Sequence, residues 1–221
     1  MIRIFFRVTI RNIARNKVFT FLNVAGLAIG MAASLLILLW VQDELSYDRF
    51  HSNAENIYRV EMNQNYSGDV YHVYVTPQPS GPVWKERIPE IVEQTRVRRL
   101  SRTLFRHDDN VFFENSLMAV DSGFFSVFSF PLVSGDPSDV LSSPNSIVLT
   151  EELAGKYFGD TNPVGQTLSL DNRYLFTVTG VIKDLPHNSL FTFDALLPYA
   201  CLLYTSPSPR DRTRSRMPSS A

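Results

Sequence analysis

The chain has a single cysteine, Cys201, so no intramolecular disulfide can form, and neither a paired-cysteine metal site nor a redox pair is possible. Stability must therefore come from packing. Catalytic constellations are missing as well. There is no G-x-S-x-G nucleophile elbow and no H-E-x-x-H pair, and Ala154-Gly155-Lys156-Tyr157 lacks the upstream glycine and the following Ser or Thr of a phosphate loop. The expectation is a non-enzyme that binds no ATP, metal or other cofactor itself. His107-Asp108-Asp109 has the residue types of a metal site, but exposed loop residues explain it better. Arg96, Arg98, Arg99 and Arg102 break strand parity at 99, which favours a solvated face over a nucleic-acid patch. Acid is missing from the first 42 residues altogether.

What stands there instead is a run of 24 residues, 18–41, without charge and with only Thr20, Asn23 and Ser34 as polar interruptions. At about 1.5 Å per residue such a helix covers roughly 36 Å, more than the roughly 30 Å hydrocarbon core of a bilayer. A cleaved signal peptide fits less well, because its apolar region is usually about 7–15 residues and no small-x-small site follows Trp40. Arg3, Arg7, Arg11, Arg15 and Lys17 precede the run, whereas Asp43, Glu44 and Asp48 follow it. The positive-inside bias places the N-terminus in the cytoplasm and the rest of the chain outside. On a helix the four arginines drift by only about 40° per step, opposite Ile2, Phe5, Phe6 and Ile13, although Ile4 falls among them. Segment 1–17 is thus expected to lie on the membrane surface, the plainer alternative being topogenic charge alone. Gly26 and Gly30 form a G-x-x-x-G pair, a candidate helix-packing face.

Residues 42–200 carry the apolar patterning of a folded domain. Strand-like runs at 57–64 and 71–76 flank a Ser67-Gly68-Asp69 turn and predict a hairpin. A helix follows over 81–88, then strands over 94–102, 111–114 and 116–120. Asp121 and Ser122 are candidate N-caps of a short helix carrying Phe124, Phe125 and Phe128, with Pro131 beyond it. Strand 146–149 leads into a helix capped by Thr150 and closed by Gly159. Strands over 167–170, 174–183 and 191–197 complete an α+β domain without internal repeat.

Several motifs resemble, in order, the MacB/FtsX-like family of ABC transporter permeases in the form common among Bacteroidota. They are Arg11-Asn-Ile-Ala-Arg-Asn-Lys17, Gly26-Leu-Ala-Ile-Gly30, Asp43-Glu-Leu-Ser-Tyr-Asp-Arg-Phe-His51, Ile57-Tyr-Arg-Val60, Phe124-Phe-Ser-Val-Phe-Ser-Phe-Pro-Leu132, Asn145-Ser-Ile-Val-Leu-Thr-Glu151, Lys156-Tyr-Phe-Gly159, Pro163-Val-Gly165 and Phe176-Thr-Val-Thr-Gly-Val181. The resemblance implies a permease subunit in the bacterial inner membrane, with a large periplasmic core domain and three further membrane helices. It implies dimerisation, as a homodimer or with a paired permease, beside a separate ATPase subunit that binds the ATP. Movement would be transmitted mechanically for export or efflux, and the permease would hold no catalytic residue. A non-transport regulator of cell-wall hydrolases and a single-span anchored sensor are the alternatives left open. Relative to that family the chain is a fragment, incomplete in its periplasmic domain. From Cys201 to Ala221 the composition turns to Ser, Pro and Arg, and the words of this segment resemble a translated sequencing-library adapter. It is read as an artefactual tail.

Overall fold

The computed structural model describes Arg7, Arg11, Arg15 and residues 16–202, in two compact units divided between Tyr47 and Asp48. Arg3 and residues 203–221 lie outside the described residues.

The first unit is dominated by α1, Lys17–Glu44, a helix of 28 residues with none buried. A helix that is apolar all round and leaves every residue unburied is suited to lipid rather than water. Its most apolar window has a mean hydropathy of 2.4, long and apolar enough to cross a membrane by length and composition. It takes in Lys17 and runs three residues past the expected end. The helix closes where Leu45 N–H donates to Val41 O and Ser46 donates through both N–H and hydroxyl to Asp43 O.

In the second unit, β1 (Met62–Tyr66) and β2 (Asp69–Val73) form a separate antiparallel pair. The loop between them is Ser67-Gly68, with φ of 54° and 96°. Both values are left-handed, the geometry that lets a two-residue turn follow the strands' own twist. The expected hairpin is there, its first strand starting five residues later than the sequence pattern indicates. Helix α2 follows at Ser80–Arg87.

The remaining strands make one nine-stranded mixed sheet among the described residues. They are β3 (Val97–Arg99), β4 (Thr103–His107), β5 (Asn110–Glu114), β6 (Leu117–Val120), β7 (Leu132–Ser134), β8 (Ser146–Thr150), β9 (Thr167–Leu170), β10 (Tyr174–Ile182) and β11 (Ala195–Pro198). The order is β3-β6-β11-β8-β10-β9-β4-β5, with β7 on the far end of β10. β8 and β10 are parallel, joined through α4 (Glu151–Phe158), and β6 and β11 are parallel too. Parallel neighbours are usually covered on both faces, and here two hydrophobic clusters do so. Ile147 and Leu149 of β8 face one cluster, with α4 supplying Leu153, Tyr157 and Phe158; Val148 faces the other, built on Phe124, Phe130 and Phe193. In β10 the parity changes midway: Phe176 and Val178 share the first cluster with Val181, three residues on. A bulge at Thr179 causes this, since β8 pairs Ile147 with Val178 and Val148 with Gly180.

Helix α4 forms as its sequence predicts, with Thr150 Oγ1 accepting from Leu153 N–H and Gly159 at φ 57° ending it. The short helix α3 is Phe124–Val127, and here the expectation is corrected. Its N-cap is Gly123, with no side-chain cap. Asp121 is unavailable because its carboxylate is already engaged by Arg96. The expected strand over 94–102 shrinks to β3, and β4, which the sequence pattern does not anticipate, turns back through Asp108 at φ 49°. The expected strand over 191–197 begins only at Ala195, although Phe193 before it is fully buried.

Candidate functional site

Gly26 and Gly30 both lie on α1, exposed, and an added Cβ at either would touch nothing within 4 Å. One helical turn apart, they line a shallow groove with Leu27, Met31, Ser34 and Leu35. Ser34 donates its hydroxyl back to Gly30 O at 2.8 Å, so the groove is apolar apart from one satisfied hydroxyl. The missing side chains let another helix approach closely, which is what a packing face in lipid requires. Arg7, Arg11 and Arg15 are helical and exposed, and Lys17 opens α1.

The charged residues of the second unit are mostly committed to internal bonds. Arg96 grips Asp121 with two nitrogens, Nε to Oδ2 at 2.9 Å and Nη2 to Oδ1 at 2.7 Å, while its backbone N–H donates to Oδ2 as well. Its guanidinium also lies over the Tyr199 ring, 4.1 Å from the centroid. This fork geometry is the strong form of the ion pair, and the hydrogen bonds to Asp121 raise the Arg96 pKa. Arg99 donates to Thr192, and Arg102 lies over Phe113. Of the four arginines, then, three are engaged separately.

Glu114, at the end of β5, is 6% exposed. It accepts from Lys156 Nζ and from the Tyr157 hydroxyl, both at 2.7 Å. Lys156 is the lysine of the stretch that superficially resembles a phosphate loop, and it sits inside α4 as the counter-charge of a buried carboxylate. Burial, then the bond to Glu114 and its negative charge, push the Tyr157 hydroxyl well above the ordinary phenol range. Burial also raises Asp194, with Glu114 and Glu152 adding to the effect and Ser116 and Lys156 opposing it. Sequence reasoning missed Glu114, because a lone glutamate at a strand end carries no local signal of its partners 42 and 43 residues away.

The histidines divide. His107 sits at the end of β4, its Nδ1 3.0 Å from Thr167 O and its ring 4.4 Å from that of Phe158. Asp108 beside it is the left-handed turn residue. Among the described residues no group of three or more His, Cys, Asp or Glu is placed to hold a metal ion. His51, in the segment after α1, is buried at 4% exposure, and its Nδ1 accepts from Ser129 N–H at 3.1 Å. Beside it Asp48, at φ 56°, donates its N–H to Asn188 O and accepts from Leu190 N–H, and Ser52 N–H donates to Ser129 Oγ. The motif after α1 thus ends in a set of fasteners, Asp48–Ser52, onto two loops of the core.

The family model described as MacB-like periplasmic core domain matches residues 20–217, which includes part of the segment that composition sets apart. Cys201, at the start of that segment, is buried in the α4 cluster. A crystal structure of a domain described as that of a permease protein from Porphyromonas gingivalis is similar over 63% of this chain and 60% of its own, at 23% identity and a TM-score of 0.55. The periplasmic region of MacB from Actinobacillus actinomycetemcomitans matches at 21% identity, 66% of each chain and a TM-score of 0.48. The extracellular domain of the noncanonic ABC-type transporter YknZ from Gram-positive bacteria matches at 22% identity, 52% of this chain, 58% of that one and a TM-score of 0.41. No curated protein matches the chain. The chain spans less than two thirds of each of these solved structures. The fold of the Porphyromonas domain and the family match over most of the sequence agree with the motifs, and the chain belongs to the MacB-like periplasmic core domain family.

Proposed function

We propose that the chain is the N-terminal portion of the permease subunit of an ABC transporter, which couples ATP hydrolysis by a separate ATPase subunit to movement of the periplasmic domain for export or efflux. The observation that carries the reading is the pairing, in one chain, of an unburied apolar helix with a strand-rich domain, in a stretch that the family model matches from residue 20 onwards. In this reading α1 spans the inner membrane with Arg3, Arg7, Arg11, Arg15 and Lys17 on the cytoplasmic side, held there by the positive-inside bias. The same residues contact lipid headgroups or the ATPase. Gly26 and Gly30 receive another membrane helix of the permease or its dimer partner. The chain itself is proposed to be non-catalytic and to bind no cofactor.

Two experiments test this. Single cysteines at Arg7 and at the exposed Asp160, in a Cys201→Ser background, are labelled in intact cells with a membrane-impermeant maleimide. Labelling at 160 alone supports the orientation, and labelling at 7 alone overturns it. The intact gene product is then purified in nanodiscs with its neighbouring ATPase. Co-purification and an ATPase rate that depends on the permease support the coupling. A cell-wall hydrolase retained in place of any transported substrate would move the assignment to the non-transport regulator.

A further inference from the structure

His51 lies in a ring of aromatic side chains, with centroids of Phe50 at 4.1 Å, Phe130 at 5.0 Å and Phe128 at 5.2 Å. Its Nδ1 accepts the Ser129 N–H, so the neutral ring carries its one proton on Nε2, which finds no hydrogen-bond partner among the described residues. A second proton has to go on Nδ1, where it meets another donor head-on. The cost is threefold: the Ser129 bond is lost, two N–H groups are opposed, and a cation is created in a nest of phenylalanines. Aromatic faces attract cations and oppose this in part, yet burial prevails and the ring's pKa falls below its ordinary 6.5. Asp48, from the same segment, pulls the other way and is the smaller influence. The Phe128–Phe130 segment packed against the ring brings no ionisable group, and the 186–190 loop that holds Asp48 brings only His187.

We propose that His51 is a proton-sensitive fastener: in its neutral form it holds the Asp48–Ser52 segment on the Phe128–Phe130 segment, and protonation releases that segment from the core. Because Asp48–Ser52 follows α1 in the chain within a few residues, the device would set how firmly the core is tethered to its membrane helix as the external pH changes. Released, the ring titrates near 6.5; held, it titrates lower. The held state is therefore fully favoured above 6.5 and loses about ten-fold per pH unit below it, until the held ring itself protonates.

Hydrogen exchange of the whole chain in nanodiscs at pH 7.5 and 5.0, corrected for intrinsic rates, tests this through the Ser52 and Ser129 amides. The expected result is a rise in opening at pH 5.0, with about thirty-fold as its upper limit for a free ring titrating at 6.5, and with the Val148 and Val181 amides of the sheet unchanged. His51→Asn keeps an acceptor for Ser129 but cannot titrate, and should abolish the pH response. Wild-type protection that is flat between the two pH values overturns the proposal. So does a response that survives in His51→Asn, which would place the titration at His187 or elsewhere. If the variant fails to fold, the wild-type profile alone decides, since loss of protection across the sheet as well would mean general acid unfolding rather than release.

Discussion

The close approach of Gly135, just after β7, to Gly180 of β10 makes a demanding prediction about two glycines. At Gly180, an added Cβ would lie 2.8 Å from Val140 Cγ1 and 3.0 Å from Ser134 O. At Gly135 it would lie 2.6 Å from Val140 Cγ1 and 2.8 Å from Thr179 O, at φ 103°. Crowding a packed interior costs about 1–3 kcal/mol, and this applies to both. Gly135→Ala adds backbone strain of about 1–3 kcal/mol, while either alanine recovers about 0.4–1 kcal/mol by stiffening the unfolded chain. The net expectation is roughly 1–2 kcal/mol of destabilisation for Gly180→Ala and roughly 2–5 kcal/mol for Gly135→Ala. The two should also respond differently to a second change. Val140→Ala removes the nearest atom in both cases and leaves a backbone carbonyl at each, Ser134 O at 3.0 Å for Gly180 and the tighter Thr179 O at 2.8 Å for Gly135, but only Gly135 also keeps a positive φ. A double-mutant cycle should therefore show a favourable coupling of about 1 kcal/mol with Gly180→Ala and a smaller share of relief with Gly135→Ala. Pulse proteolysis across a urea gradient, with the protein in nanodiscs, measures the wild type and all five variants. Equal costs for the two glycines, or strict additivity with Val140→Ala, would refute the reasoning.

Other perturbations follow from the buried charges and the α1 groove. Lys156→Met leaves Glu114 with the Tyr157 hydroxyl alone; since the lysine is 39% exposed, water screens part of the loss, and about 1–2 kcal/mol of destabilisation is expected in the same proteolysis assay. Asp194 has its pKa raised by burial, so the folded state binds its proton more readily than the unfolded one and its charge works against folding above the ordinary carboxylate range. Asp194→Asn should then stabilise at pH 7, with the advantage disappearing as the pH falls towards 4; an equal shift at both values would show that packing rather than charge is responsible. Gly30→Leu fills the α1 groove and should lower inter-subunit cross-linking of the full-length permease, whereas unchanged cross-linking removes the packing role. Amplifying the source gene from genomic DNA across codon 200 should yield a continuation unrelated to Cys201–Ala221 if that segment is adapter-derived, and the same codons if it is native.

Local signals in the sequence were good guides where the structure itself is local. The apolar run gives α1, the Thr150 cap and Gly159 bound α4, and the Ser67-Gly68 turn marks the hairpin, because each depends on residues within a turn of one another. Where distant partners compete, the pattern misleads. Asp121 has the chemistry of an N-cap, but Arg96 offers its carboxylate a two-pronged, charge-assisted bond and takes it. The alternation over 174–183 reads as one unbroken strand, yet the bulge at Thr179 turns its second half over so that Val181 can join Phe176 and Val178. Thr179 Oγ1 is held by Val140 O at 2.6 Å, a contact 39 residues away that no window of the sequence contains. Of the candidate site, the groove on α1 was legible because helical spacing places Gly26 and Gly30 on one face. The roles of Glu114 and His51 were not, since both are defined by partners more than 40 residues off.

A domain that transmits a displacement must not absorb it, and this gives the internal bonds of the second unit a mechanical sense under the proposed function. Glu114 ties β5 to α4, Asp121 ties β6 to Arg96 ahead of β3, and Asp171 exchanges two bonds with Leu104, joining the β9–β10 turn to β4. The Glu114 tie joins a strand to a helix outside the sheet's ladder, and the other two reinforce the ends of strands that the ladder already pairs. The softer parts are the β1–β2 pair, which has no third strand and exposes Tyr66 and Tyr71, and the Asp48–Ser52 fastener. A load entering the chain at α1 reaches Asp48–Ser52 before any strand of the sheet. Stiffness in the sheet combined with an adjustable joint at its entry concentrates control at His51, so a variant there should alter coupling between ATPase and periplasmic movement while leaving the stability of the sheet amides as it was.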